Sequence, residues 1–323
     1  MAHHRKSARL KARESRSLIK FVEVLFLLFE VIGFPKRFSR FSKKDFNAWQ
    51  LLALCILCAK SKQSPEDFVE QFLPTADRLV RALRLKRIPV PSTLRKFARR
   101  IKARWAHTAL AGCAQLAGLQ DICAGIDGTG HSKLRGSRHY YKRVGRKARK
   151  KDFVKVVGID DLTTQLVLAV RIRKKARHDN VDFRPTVNRV ARITTIDTLT
   201  GDKAFDAQKN HDLAHQHQTL LITPLRNADV PVWRTSGPDR KRLKRHFPTK
   251  KYHQRSKKET VWGVVKQMFG DAVRAITFRM QKIELLFRYL AYNIDRILKL
   301  QKKRKILQQF SDELRITLTG DAA

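Results

Sequence analysis

Beyond Gly118 the spacing of apolar residues changes, and that change limits the folds open to this chain. Before it, apolar residues recur at helical intervals in "SRSLIKFVEVLFLLFEVIGFP", "KKDFNAWQLLALCILCAKS", "SPEDFVEQFL" and "TADRLVRALRL". A Ser opens the first of these, and Gly33 and Pro35 close it. Pro65 stands in a first turn behind a Ser cap. "VPSTLRKFARRIKARWAHTALAGCAQLAG" predicts one long helix, capped by Ser92 and ended by Gly118. Its basic face (Arg95, Lys96, Arg99, Arg100, Lys102, Arg104) suits DNA or plain solvent equally. After Gly118 come a short strand ending in "DGTG", a hairpin turning at Asp160 to Thr164, and a helix. A strand in "TTIDTLTGD", a helix, and the strand "TLLITPL" ended by Pro224 follow. Two helices close the pattern, one from about Ser256 to Phe269 and one in "MQKIELLFRYLAYNIDRILKLQKKRK". This order predicts an α/β class: a mixed sheet with helices on both faces. The expected division is an all-α N-terminal region (1–120), an α/β core (121–300) and a basic C-terminal tail (301–323).

Charge narrows the partners. Seventy Lys and Arg against 28 Asp and Glu leave +42 on 323 residues, while a hydrophobic fraction of 42% is ordinary for a folded chain. Such self-repulsion is tolerated where the partner is a polyanion, which points first to nucleic acid. "KLRGSRHYYKRVGRKARKK" (133–151) and the run 240–258 each hold ten basic residues in nineteen, without an acid. Both are expected to be DNA-contacting loops. Four cysteines make no disulfide framework and suit a reducing cytoplasm, and Cys55 and Cys58, in "LLALCILCAKS", read as helical core residues. Lys20, Glu23 and Glu30 interrupt the most apolar stretch, so a buried helix is expected there and no membrane span.

Against this background the acids stand out. Asp127 follows "ICAGI", Asp202 follows "DTLTG", and Glu259 lies on the helix after the last strand. Two strand-end carboxylates and one on a facing helix can converge over one sheet edge. All-oxygen ligands of that kind suit two hard divalent cations about 4 Å apart, the arrangement that stabilises in-line displacement at phosphorus. An Asp beside Gly is also common turn chemistry. Asp160, Asp161, Asp179 and Asp206 compete for the role; Asp160 and Asp161 read as hairpin-turn residues and Asp206 as a helix cap. In "YHQRSKKETVWGVVK", Tyr252, Arg255, Glu259 and Lys266 fall at offsets that place them near 0°, 300°, 340° and 320° of a helix turning about 100° per residue. One stripe then presents a ring, a guanidinium, a carboxylate and an ammonium.

That stretch resembles the Y-(2)-R-(3)-E-(6)-K signature of a branch of the DDE-type insertion-sequence transposases, and fits its spacing at every position. "AGIDGTG" resembles the family's first-aspartate motif, "GDKAFD" its second, and "IELLFRYLAYNIDRI" its C-terminal helix with a Tyr-Asn pair. The second motif departs from the family in carrying Ala204-Phe205 where Gly-Tyr is usual. The resemblance, over about residues 120–300, implies an RNase H-like core and DNA strand cleavage at transposon ends, followed by strand transfer. It also implies two Mg²⁺ or Mn²⁺ ions and a homodimer on paired inverted-repeat ends, with target DNA as second substrate. Carried onto this chain, Asp127, Asp202 and Glu259 are the expected catalytic metal ligands. Tyr252, Arg255 and Lys266 are expected to hold phosphates and a displaced nucleotide, alongside Lys142, Arg143, Arg146, Lys257 and Lys258 in the two basic runs. The N-terminal helices are expected to recognise the ends or to pair protomers, and the protein to be cytoplasmic and nucleoid-associated. The same residues would serve a nuclease that cuts without joining, or survive in an inactive DNA-binding remnant.

Overall fold

A computed structural model describes residues 2–41, 45–133, 143–145, 153–175 and 177–320, with side chains described between 17 and 302 of these. The N-terminal region is helical. α1 (Ala2–Val31) begins well before the Ser expected to open it, because the preceding Ala-, Lys- and Arg-rich residues favour helix and include neither Gly nor Pro. Gly33, with φ of +60°, lies two residues beyond its end. α2 (Ala48–Ser61) starts in a reciprocal capping box between Asn47 and Gln50. α3 (Pro65–Asp67) lies behind the Ser64 cap, passes into a π-turn over Phe68–Phe72, and is followed by α4 (Asp77–Ala82).

The long helix expected after Val90 is two. α5 (Pro91–Arg100) and α6 (Ala103–Ala117) are separated at Ile101, whose backbone turns extended (ψ 133°) while its side chain is buried. Burying that side chain outweighs one more helical hydrogen bond. Val90, not Ser92, takes the N-cap, since Pro91 at the first helical position has no N–H to satisfy. Gly118 closes α6 in the left-handed region, as expected (φ 64°). All six residues of the basic face are exposed.

Five strands form one sheet in the order β3-β2-β1-β4-β5. β1 (Ile122–Ser132), β2 (Phe153–Asp161) and β3 (Val167–Arg173) are antiparallel, whereas β4 (Ile196–Gly201) and β5 (Leu220–Ile222) run parallel to β1. α7 (Phe183–Val190) and α8 (Gln208–Gln216) make the crossovers. This is the mixed sheet between helices that the order of elements predicts. β1 does not stop at its glycines. A Cβ at Gly130 would come within 2.8 Å of Phe153, so glycine there lets a ring cross the strand instead of ending it.

α9 (Pro238–Arg245), α10 (Thr249–His253), α11 (Ser256–Phe269) and α12 (Phe278–Gly320) complete the chain. α12 touches α1, α2 and α6 as well as α11 and β3, and one connected set of buried apolar residues runs from Phe21 to Ile297. The Tyr-Asn pair of α12 closes the hairpin: Asn293 accepts from Val167 N at 3.0 Å and donates to Val167 O at 2.8 Å. Tyr292 Oη donates to Gln165 O at 3.0 Å. The tail residues from 303 onward continue α12 as far as Gly320, and their side chains lie outside the described residues. Cys55 and Cys58 are free, buried thiols, and burial pushes Cys58 up to about 12. Among the described residues no helix is long and apolar enough to cross a membrane.

Candidate active site

The parallel register of β1 and β4 explains how two aspartates meet. Ile126 pairs with Gly201, so the next residue along each strand, Asp127 and Asp202, emerges on the same line. Asp127 is not at a strand end, as β1 continues for five residues on its other, antiparallel side; it stands where β4 ends. Asp202 leaves β4 and caps the short turn Lys203–Phe205, its Oδ1 accepting from Ala204 N at 2.9 Å. Phe205, the ring retained from the second motif, is fully buried against Phe183.

Glu259 arrives on the first turn of α11, which packs on β1. One guanidinium connects the acids: Arg255 Nη1 donates to Glu259 Oε1 at 3.1 Å, and Nη2 lies 3.6 Å from Asp127 Oδ1. Burial raises the Asp127 carboxyl above the ordinary range. Lys258, the Gly128 N–H and Arg255 oppose that rise, and the nearby Asp202 charge adds to it. Burial works against the Arg255 cation, but Asp127, Tyr252, Glu259 and Asp202 outweigh it and hold the group above its usual value. The donors are all carboxylate oxygens, which fits a hard divalent cation in kind. In spacing, no three acids, imidazoles or thiols among the described residues are close enough to hold one, and Arg255 bridges Asp127 and Glu259 instead.

The expected stripe is not one unbroken helix. Tyr252 is on α10, a turn at Gln254 and Arg255 intervenes, and Arg255 is the N-cap residue of α11. The Tyr252 ring is half-buried, edge-on to Phe247 with centroids 5.1 Å apart. Lys266, two turns beyond Glu259, pairs with Asp271 at 3.1 Å.

The basic runs divide. Lys257 and Arg143 are exposed; Lys142 and Arg146 lie outside the described residues, with most of the run 133–151. Residues 240–258 are not one loop but run through α9, α10 and the start of α11. Arg240 is committed to Asp206, with contacts of 2.7 and 2.9 Å, so Asp206 is an ion-pair partner and not a helix cap; Ala207 caps α8. Lys244 Nζ donates to Ala228 O and Val230 O.

Lys258 corrects the surface reading outright. It is fully buried, paired with a fully buried Asp160, and so is not presented to DNA. Asp160 is correspondingly a strand residue and not part of the hairpin turn; Asp161 is the turn residue, its Oδ2 accepting from Thr164 N and Oγ1. Burial drives the Lys258 ammonium well below its usual range, and Asp127 pulls it back up. A signal for this burial was present: Lys258, Trp262, Val265 and Phe269 stand at i, i+4, i+7 and i+11, the apolar face of α11.

The model of the transposase DDE domain family matches residues 123–294, just over half of the chain and the whole of this constellation. The chain belongs to that family. Among solved structures, a piggyBac transposase synaptic complex with hairpin DNA is similar at 10% identity and a TM-score of 0.48, over 90% of this chain and 76% of that one. A Mos1 strand transfer complex gives 11% and 0.29, and a pre-cleavage Mos1 transpososome 10% and 0.23, each over 82% of this chain and 80% of the other. No curated protein matches the transposase chain significantly.

Proposed function

We propose that this chain cuts DNA strands at the ends of a mobile element and joins the freed 3′-hydroxyl to target DNA. The observation that carries the reading is the Arg255 bridge between Asp127 and Glu259, with Asp202 one residue beyond the strand paired to Ile126, in a transposase-family chain of charge +42. Asp127, Asp202 and Glu259 are the residues to hold Mg²⁺ or Mn²⁺, two ions in all, whose chemistry when bound is to stabilise charge on the attacking and leaving oxygens.

The chain's own residues supply the rest. Arg255 withdraws from Asp127 and Glu259 to a phosphate, which frees two ligands and offers a bidentate partner for the backbone. Lys266 exchanges Asp271 for phosphate in the same way. Tyr252 leaves its contact with Phe247 to stack on an unpaired base. Exposed Lys257 and Arg143, with Lys142 and Arg146, neutralise flanking phosphates. In cleavage a water oxygen bonds to phosphorus and the 3′-oxygen leaves with a proton; in joining, that 3′-oxygen attacks a target phosphodiester and one strand oxygen departs. A homodimer on paired ends, with the exposed basic face of α5 and α6 reading end sequence, completes the proposal.

The test is an element-end duplex incubated with a target plasmid and Mn²⁺. Nicked ends together with joined product are expected. Cleavage without joining would make the chain a nuclease, and neither product from wild-type protein overturns the proposal.

A further inference from the structure

The connection between α1 and α2 turns aromatic rings toward water. Its sequence from Gly33 to Lys44, "GFPKRFSRFSKK", sets three rings among five basic residues and no acid. Phe34 is buried, but Phe38 is 51% and Phe41 81% exposed. One exposed apolar side chain needs no explanation, whereas two in one short segment, rimmed by charge, mark an interaction site.

The segment is anchored on the helices around it. Phe38 meets Phe34 edge-on with centroids 5.6 Å apart, and the Phe97 ring of α5 at 6.4 Å. Trp49 Nε1 of α2 donates to Phe34 O at 2.6 Å, and Phe41 N donates to Ser39 Oγ at 3.1 Å. The Arg40 guanidinium lies across the Phe41 ring, 4.8 Å from its centre. Phe38 therefore ties the segment to α5, while Phe41 is carried outward with a cation beside it.

Charge says what covers the ring. Arg37 and Arg40 are exposed in the segment, and Lys96, Arg99 and Arg100, close to Phe97 in α5, are exposed as well. The first acid after the run, Asp45, pairs with Arg87 at 2.6 Å. A second copy of this basic surface would meet like charge, which costs affinity. A duplex instead offers phosphates to two basic segments and stacked bases to the ring. Apolar side chains such as Phe, set among Arg and Lys, are what minor-groove proteins insert between base steps.

We propose that Phe41 is a wedge that enters duplex DNA between base pairs and bends it, while Arg37, Arg40 and the basic face of α5 hold the flanking phosphates. The inference rests on the DNA-binding reading of the chain, and needs neither metal nor cleavage. Flexible pyrimidine–purine steps unstack most easily, so TA steps are the preferred points of entry.

The experiment compares full-length wild type, Phe41→Ala and Phe41→Leu on a duplex containing TA steps, with a dye at each end and no divalent metal. Wild type should raise energy transfer between the ends as the duplex bends. Phe41→Ala should bind about tenfold more weakly, within the range for one ring lost from a base stack, and at saturation should lose at least half of the rise in transfer. Phe41→Leu should recover most of both, since leucine also serves as a wedge. Tm should match wild type throughout, because the ring stands mostly in water. Binding by wild type without a rise in transfer, or an alanine variant that bends DNA as fully as wild type, overturns the wedge and leaves the DNA reading standing. A wild-type chain that does not bind the duplex overturns both. Light scattering without DNA provides the remaining arm. If Phe41→Ala lowers the particle mass and bends DNA as before, the ring is a contact between copies and the wedge falls.

Discussion

The two sides of the central strand are built on opposite principles. On the hairpin side, α12 satisfies the turn between β2 and β3 group by group: Asn293 takes both backbone groups of Val167, Tyr292 takes Gln165 O, and Arg296 Nε donates to Thr164 O at 2.6 Å. On the acid side, charges face one another with polar atoms left over. Arg255 Nε and Asp160 Oδ2 are buried without a hydrogen-bond partner among the described residues. Buried polar groups are usually paired, so two unpartnered atoms on charged groups here set this side apart from the satisfied hairpin turn. The hairpin side is built for the fold, and the proposed reaction falls to the acid side.

The largest way to break that contrast is to neutralise an acid. Glu259→Gln, Asp127→Asn and Asp202→Asn should each lower cleavage by about 10³-fold, the scale for losing one group that stabilises charge in a transition state. Melting temperature should hold or rise, most of all for Asp127→Asn, because burial disfavours that charge in the folded chain. A nicking assay run beside thermal melts checks both. An Asp127→Asn protein that melts well below wild type would place this acid with the structural residues.

The next effect lies where β1 meets α12. His131 is buried, with its Nε2 2.9 Å from Tyr289 Oη and its Nδ1 3.3 Å from Asp271 O. Burial lowers the imidazole to about 4, Lys266 and Arg288 add to the lowering, and Asp271 opposes it. The folded chain therefore prefers the neutral ring. The stability this confers is complete above the unfolded value near 6.5 and is lost as pH falls toward 4, by roughly 3 kcal/mol. His131→Gln keeps a polar partner for Tyr289 and removes the titration. Its urea stability relative to wild type should improve steadily from pH 7 to pH 4; parallel curves would show that the ring is not desolvated.

A smaller loss tests the hairpin side directly. Asn293→Ala strands Val167 N and O inside the protein and should cost about 2 kcal/mol, within the range for buried groups left unpaired. Cleavage per folded molecule should stay near wild type. A loss of activity without a loss of stability would put the Tyr-Asn pair in the site.

Much of this was legible in sequence wherever a local signal and the tertiary outcome agreed. The bounds of α11, the Gly118 stop, the hairpin and the strand before Asp202 follow from period and breakers. The break at Ile101 was hidden, since only tertiary burial rewards it and no Gly or Pro announces it. The turn at Gln254 and Arg255 was hidden too, since no Gly or Pro announces it. Lys258 was misread because its charge was counted with a basic run while its position, four residues before Trp262, belonged to the apolar face. Asp160 was misread with it, as a buried ion pair shows only when both strands and helix are in place.

The smallest effect separates two adjacent lysines. Lys257 is exposed and Lys258 is buried, although both close the same basic run. Only a side chain that reaches phosphate releases counter-ions when DNA binds, and each phosphate neutralised contributes about 0.9 to the log–log dependence of affinity on salt. Lys257→Ala should lower that slope by about one such step, with melting temperature unchanged. Lys258→Met/Asp160→Leu should leave the slope where it was, because its ammonium never faces the solvent that DNA displaces. Binding isotherms on a non-cleavable duplex between 50 and 200 mM salt, a range over which such slopes are resolved, decide the matter. If both variants lower the slope equally, Lys258 turns outward when DNA binds and the division between a surface lysine and an internal one fails.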